Sequence, residues 1–391
     1  MLGKKNTENF FFILFSILPI SIIVGTSVMT INILLICVLF LLFFFSKLNI
    51  VNFNHYSLIS LIIIFFYLII NSIISIDIEN SLIRNIGFIR FIILFICINF
   101  FYLNFKNSFL NFWMIIILLT TFDVYFEFVF GQNIFGWGKK TIDGVMQPNG
   151  SRIMSFFKDE PISGAFLSGF IFIIFGNLMN KVSKNKMIPL TIGSIIFIAI
   201  FLTGERSNTI RVFFGFLIFL FLVDKFDFKT KFLFFLLSFL MISVFISNNS
   251  FLKNRYVSLS KNFDSKEKII HQYENNLYFK IYKSSYYIFT SKPLFGVGNK
   301  NYRLKSCEFV YDLELSPEIR NRYICTTHPH QIYFEFLSEH GIVGLLFLTF
   351  LFFFILLRVF KEILKTKNTL QIGCFVFVLS TFLPILPSGS F

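Results

Sequence analysis

MTINILLICVLFLLFFFS, residues 29–46, contains no charged side chain and one amide, Asn32. It is close to the roughly 20 residues that carry an α-helix across the hydrocarbon of a bilayer. Ten further runs of this kind lie near 10–24, 57–75, 84–103, 109–130, 161–179, 187–203, 208–223, 232–247, 339–358 and 369–385. They are continuously apolar, whereas a transmembrane strand alternates over about ten residues, so a β-barrel is disfavoured. The whole 391-residue chain agrees: 55% of it is hydrophobic and 14% charged, with a mean hydropathy of +0.75. A soluble domain cannot bury this much apolar surface, and a disordered chain or a small disulfide scaffold does not contain it. The expected fold is all-α, a polytopic transmembrane helical bundle of about 11–12 spans with a large periplasmic loop carrying amphipathic helices.

The net charge of +14 does not indicate nucleic acid, because the cations lie between apolar runs and form no reading module. With Lys4 and Lys5 on the cytoplasmic side, alternate connectors carry Lys47, then Lys106, then Lys181, Lys184 and Lys186. Lys225, Lys229 and Lys231 follow, and finally Arg358, Lys361, Lys365 and Lys367. All fall on one side, as the positive-inside rule requires. The first run lacks a small-residue cleavage site and is read as a retained helix. Eleven spans leave Phe391 on the outer face, and whether a twelfth follows is left open.

The segments read in order are N-terminal transmembrane helices over 1–130, an outer-face loop over 131–160, central transmembrane helices over 161–247, a large periplasmic loop over 248–338 and C-terminal transmembrane helices over 339–391. From Ser250 to Pro329 thirteen Lys and Arg face seven Asp and Glu. This is either a solvated domain surface or the seat of an anionic substrate such as a lipid-linked phosphate or diphosphate. Helical spacing from Tyr273 through Leu277, Ile281 and Ile288 predicts an amphipathic helix over 270–290 lying on the membrane. Cys307 and Cys325 share this loop, so a disulfide between them is plausible in an oxidising compartment.

Three clusters carry candidate chemistry. Arg206, in Thr203-Gly204-Glu205-Arg206-Ser207-Asn208, opens a span, where a guanidinium and free helix N–H groups can hold an anion, unless Glu205 neutralises it. Gly296-Val297-Gly298 lacks the third glycine of a dinucleotide fingerprint and is read as a tight turn. His328-Pro329-His330 precedes a span, with His330 expected in the first helical turn. A metal reading of the two histidines lacks a third ligand. Glu335 and Glu339, at i and i+4, are either a proton relay or structural partners of backbone and Lys.

Gly204-Glu205-Arg206-Ser207, Pro293-Leu294-Phe295-Gly296-Val297-Gly298, His328-Pro329-His330-Gln331-Ile332-Tyr333 and Glu339-His340-Gly341-Ile342-Val343-Gly344-Leu345 stand in an order that resembles the O-antigen ligase and O-antigen polymerase family. The resemblance covers about 150–391. It implies a metal-independent membrane glycosyltransferase without a cofactor, in the bacterial inner (cytoplasmic) membrane, with its active site on the periplasmic side. It also implies an undecaprenyl-diphosphate-linked glycan donor, membrane lipids around it, and an acceptor that is the lipid A core or a growing glycan.

By resemblance Arg206 would hold the donor diphosphate, and His330 would deprotonate or orient the acceptor hydroxyl. His328 is grouped with the substrate-binding residues. The chain departs from the family at a second Arg on the loop helix. That slot falls near Tyr278, so Lys280 or Arg303, with Arg303 preferred, would supply the charge. The 131–160 loop, with Arg152, Lys158, Asp159 and Glu160, is a further candidate wall of the site. A rival reading, a transporter or flippase of lipid-linked oligosaccharide, expects acids deep within spans, and Asp123 and Glu127 are its candidates.

Overall fold

The computed structural model describes residues 4–44, 55–105, 108–138, 141–142, 145–146, 152–158, 160–181, 187–257, 276–311, 317, 323–384 and 386–387. Lys47, Lys106, Lys184, Lys186, residues 270–275 with Tyr273, and the charged residues of 258–275, 312–316 and 318–322 lie outside them. The protein is an all-α, multi-pass membrane protein. Each of the eleven predicted runs is helical, and seven helices among the described residues are long and apolar enough to cross a bilayer. The only strand pairing among the described residues is a two-residue antiparallel pair, Thr141–Ile142 with Val145–Met146. Regular helix is what a lipid environment demands, since backbone N–H and C=O groups find no water there.

The chain forms two compact units. The first comprises Met1–Ile36, Phe101–Lys261 and Val359–Thr381. Its most buried helix is Ser163–Lys181, with Phe166, Leu167, Ile171, Phe172 and Phe175 inside. Close approach to the Thr369–Thr381 helix depends on two glycines. A Cβ at Gly176 would lie 2.4 Å from the Thr369 carbonyl oxygen, and one at Gly373 would lie 2.1 Å from that of Phe172. Small residues let helix backbones touch, so dispersion replaces the hydrophobic drive that lipid cannot supply. The Phe172 and Phe175 rings meet Phe216 at 5.3 and 5.4 Å.

Asp123 and Glu127 belong to this unit, fully buried near the end of the Phe109–Phe130 helix. Glu127 accepts hydrogen bonds from the amides of Met154 (3.1 Å) and Ser155 (2.6 Å). Asp123 accepts from the Ile134 amide (2.9 Å) and the Ser155 hydroxyl (2.6 Å). These acids, the candidates of the transporter reading, hold the backbone of the segment after the helix. The physical reason is that buried amides outside a helix need acceptors, and carboxylates are strong ones.

The second unit comprises Cys37–Phe100, Asn262–Arg358 and Phe382–Phe391. Its principal feature is a break in the Ile332–Thr366 helix at Gly341, with φ 64° and ψ −167°. A continuous helix would bond the Ile342 amide to the Ser338 carbonyl and the Val343 amide to the Glu339 carbonyl. Here the Ser338 and Glu339 carbonyls accept instead from the amides of Val297 (3.0 Å) and Gly298 (2.8 Å). The amides of Ile342 and Val343 donate to the carbonyls of Pro293 (2.9 Å) and Leu294 (3.2 Å). The 293–298 turn thus satisfies both halves of two broken helical bonds, each of which would otherwise cost about 1–3 kcal/mol per orphaned group.

The other side of the turn is bound by polar side chains of the Tyr56–Ile73 and Ile78–Ile86 helices. Asn71 Oδ1 accepts from the Asn299 amide (2.9 Å), and Asn71 Nδ2 donates to the Phe295 carbonyl (3.3 Å). Ser81 Oγ donates to the Asn299 carbonyl and accepts from Asn301 Nδ2, each at 2.8 Å. Asn85 accepts from the Asn299 side-chain amide.

The predicted amphipathic helix runs over Leu277–Ser291, capped by Asn276, whose side chain accepts from the Tyr278 amide at 2.9 Å. Its packing face is turned to protein. Ile281, Tyr282, Ser284, Ser285 and Ile288 are buried against protein: Tyr282 stacks on Phe334 at 4.7 Å, and Ser285 Oγ donates to the Phe334 carbonyl at 2.7 Å. Two buried serines on that face need polar partners, which protein backbone provides and lipid does not. Cys307 and Cys325 are joined in a disulfide, with Cα atoms 4.3 Å apart, and Tyr323 stacks on Phe309 at 4.4 Å beside it. These contacts tie the Tyr302–Tyr311 helix to the segment that leads into the two histidines.

Candidate active site

In the second unit, His330 precedes the helix that begins at Ile332; the expected place in the first helical turn is corrected. Its φ of 58° is left-handed, a conformation a right-handed helix cannot include and non-glycine residues seldom adopt. Gln331 takes over the start of the helix. Its side-chain oxygen accepts from the Phe334 amide (3.0 Å) and its carbonyl from that of Glu335 (3.0 Å). Strain of this kind, about 1–3 kcal/mol, persists where the surroundings impose it and is common at working sites.

The His330 ring lies 4.0 Å from that of His328 and 6.0 Å, edge to face, from that of Tyr278. Thr327 Oγ1 pairs with His328 Nδ1 at 2.9 Å. Burial lowers the pKa of His330 below the usual 6.5, against an opposing pull from the Glu335 carboxylate. Burial, and then the charge of His330, lower that of His328. Both imidazoles are therefore biased toward the neutral form, in which one ring nitrogen can accept a proton.

Glu335 and Glu339 are structural partners. Glu335 is paired with Lys300 at 2.9 Å, and Lys300, like His330, has a left-handed backbone, φ 63°. Glu339 Oε1 accepts from the Tyr302 amide at 3.1 Å. His340, wholly buried, packs between Tyr67 (5.6 Å) and Phe336 (5.8 Å). Lys280 and Arg303 are both exposed, Lys280 on the Leu277–Ser291 helix and Arg303 on Tyr302–Tyr311.

Arg206 lies in the first unit, as residue one of the Arg206–Leu222 helix. The chain reaches it through Gly204, at φ 77°, where a side chain would press on the Phe251 ring at 3.0 Å. Glu205 does not neutralise it. One Glu205 oxygen accepts from the Gly164 amide (2.7 Å), at the start of the Ser163–Lys181 helix, and the other from Asn208 Nδ2 (2.6 Å). Burial raises the pKa of Glu205, and these bonds, with the charge of Arg152, oppose the rise. Among the described residues no salt bridge involves Arg206.

Of the sequence candidates, the structure brings together His328 and His330, and places Arg206 in the other unit. Sequence reasoning missed the polar set that fixes the 293–302 turn, Asn71, Ser81, Asn85, Asn299 and Asn301. Asn71 offered a signal: an amide at the end of an otherwise apolar run, where a polar group needs a partner.

Comparison with known families agrees with the reading. The O-antigen ligase family model matches residues 191–349, a segment that includes Arg206, the large loop, both histidines and the Gly341 break. No curated protein and no solved structure matches the chain. The resemblance to the O-antigen ligase and polymerase family thus holds over this segment.

Proposed function

With an O-antigen ligase domain over residues 191–349, we propose that the chain is a metal-independent glycosyltransferase of the bacterial inner membrane. It transfers an undecaprenyl-diphosphate-linked glycan at the periplasmic face, either to the lipid A core or to a growing glycan. The observation that carries this reading is His330: a half-buried imidazole, biased to its neutral form, held out on a left-handed residue inside the matched segment.

In the proposed reaction His330 takes the proton of the acceptor hydroxyl as that oxygen bonds to the anomeric carbon of the donor sugar. The bond from that carbon to the diphosphate oxygen breaks, its electron pair leaves with undecaprenyl diphosphate, and the proton passes from His330 to the departing diphosphate. Arg206, which forms no salt bridge among the described residues, stabilises the charge on that leaving group. His328 assists in substrate binding. The flippase alternative drew on Asp123 and Glu127, and both are engaged by backbone amides of their own unit.

The reading is tested in membrane vesicles with a labelled undecaprenyl-diphosphate-linked repeat, offering lipid A core and free lipid-linked repeats as acceptors. Label on the core identifies a ligase, and a ladder of lengthening lipid-linked chains a polymerase. Glycan that crosses the bilayer without transfer to either acceptor overturns the proposal in favour of a flippase.

The pH dependence follows from the site. The proton acceptor must be neutral, and burial holds the pKa of His330 below 6.5, so the neutral form persists as pH falls through 6.5 and is lost only lower. The groups that act on it are His328 from its own segment, Tyr278 from the Leu277–Ser291 helix, and Glu335, with its partner Lys300, from the Ile332–Thr366 helix. The acid limb of the transfer rate is expected at a midpoint below pH 6.5. A midpoint well above that value would mean that another group, or a protonated His330, sets the rate.

A further inference from the structure

His328 and His330 are brought together by the backbone that joins them. A residue ahead of proline is confined to extended conformations, and proline has a fixed φ. Side chains two positions apart along such a chain emerge on the same side. Pro329 is buried, and the segment is anchored upstream of it. The Ile324 amide donates to Ser284 Oγ at 3.3 Å, and Cys325 is bonded to Cys307. Thr326 Oγ1 donates to the His328 carbonyl at 3.3 Å. On this support the two imidazoles are in contact, with centroids 4.0 Å apart and planes inclined at 50°.

One nitrogen of His328 already has a partner, since Thr327 Oγ1 and His328 Nδ1 are 2.9 Å apart. When Nδ1 carries the ring proton it donates to that hydroxyl, and Nε2 is left as an acceptor. Burial, and then the charge of His330, lower the pKa of His328; the Glu335 carboxylate opposes them and Lys300 adds to them. A proton that reaches His330 thus keeps its neighbour neutral and able to accept. An imidazolium has two N–H groups. In the reaction one of them faces the oxygen that gave the proton, and a neutral imidazole in contact can accept from the other. A hydrogen bond from a charged donor is roughly twice as strong as one between neutral groups. It therefore strengthens as the proton moves, which favours the transition state over the ground state.

We propose that Thr327 and His328 are an orienting pair for His330. The Thr327 hydroxyl sets the tautomer of His328, and His328 accepts from His330, leaving the other His330 nitrogen free to take the acceptor's proton. This rests on the reading of His330 as the base. No additional bond is made or broken, because the proton stays on His330 until it passes to the departing diphosphate. His328 is thus a positioning residue, and its effect falls on turnover, beyond any contact it makes with substrate.

The test measures kcat and KM for glycan transfer by the full chain in membrane vesicles, with the labelled undecaprenyl-diphosphate-linked repeat as donor. His328→Ala is expected to lower kcat by about 10–100-fold, the worth of one hydrogen bond to a charged group, with KM within about threefold of wild type. His328→Gln, whose side-chain oxygen can accept from His330, recovers part of that loss. Thr327→Val, which keeps the shape and removes the hydroxyl, lowers kcat by about 3–10-fold, and Thr327→Ser recovers most of it. In a His330→Asn background, His328→Ala has no further effect, because residues that act as a unit are not additive. A rise in KM at unchanged kcat makes His328 a substrate contact alone and overturns the proposal. So does a full further loss from His328→Ala in the His330→Asn background, or wild-type kcat in Thr327→Val. If His330→Asn itself transfers as wild type does, the reading of His330 falls and this proposal with it. If His330→Asn loses transfer and His328→Ala does not, only the orienting pair falls.

Discussion

His330→Ala lowers glycan transfer by about 10²–10⁴-fold, the usual contribution of a positioned general base. The substitution also places an alanine at φ 58°, where an L residue costs about 1–2 kcal/mol and asparagine is better tolerated. His330→Asn therefore provides the cleaner comparison. It keeps a small polar side chain suited to the left-handed backbone and lacks a basic nitrogen. Both variants are expected to lose transfer at saturating donor to a similar extent, while Asn keeps the thermal midpoint of wild type more closely. Transfer by His330→Asn within about threefold of wild type would remove His330 from the chemistry, since a factor that small is under 1 kcal/mol.

The largest expected effect on stability comes from Gly341→Ala. A Cβ at Gly341 would lie 2.4 Å from both the carbonyl carbon and oxygen of Leu294, and one at Gly296 would lie 2.4 Å from the carbonyl carbon of Glu339. Both contacts are with backbone, which cannot swing aside as a side chain does. Gly341 also has a φ of 64° with ψ −167°, a region open in practice only to glycine. Strain and overpacking together cost roughly 2–6 kcal/mol, a large share of the stability of a typical domain. The expected result is loss of monodisperse protein on size exclusion, or a large fall in thermal midpoint, for Gly341→Ala and for Gly296→Ala alike.

Gly169→Ala is the comparison. It lies in the Ser163–Lys181 helix with nothing within 4 Å of the added Cβ, so it is neutral or gains up to about 1 kcal/mol of helix propensity. If Gly341→Ala unfolds within about 2 °C of wild type, a shift worth at most about 1–2 kcal/mol for a chain of this size, the four hydrogen bonds between the turn and the helix break do not carry the unit.

Much of this protein is written locally. The bilayer accepts few backbone solutions, so the length and continuity of runs such as 29–46 give the helices directly. The motifs around Arg206 and His330 are short and lie next to helix starts, so their order along the chain was enough to suggest the family. The helix boundaries were less legible. The last long helix begins at Ile332, ahead of the run near 339–358, and His330 takes a left-handed backbone that a right-handed helix cannot include.

What each charged or polar group does was decided by the fold alone. Glu205 looked like the partner of Arg206 because it is adjacent, yet it serves an amide forty-one residues away at Gly164. Asp123 and Glu127 looked like transport acids and instead hold the backbone of Ile134, Met154 and Ser155. The motifs at 293–298 and 338–343 read as two separate signals, and they are the two sides of one hydrogen-bonded junction. Apolar periodicity is a property of neighbouring residues, so sequence displays it. The partner of a buried polar group is set by whatever the long-range path of the chain brings within 3 Å, and only the tertiary structure determines that.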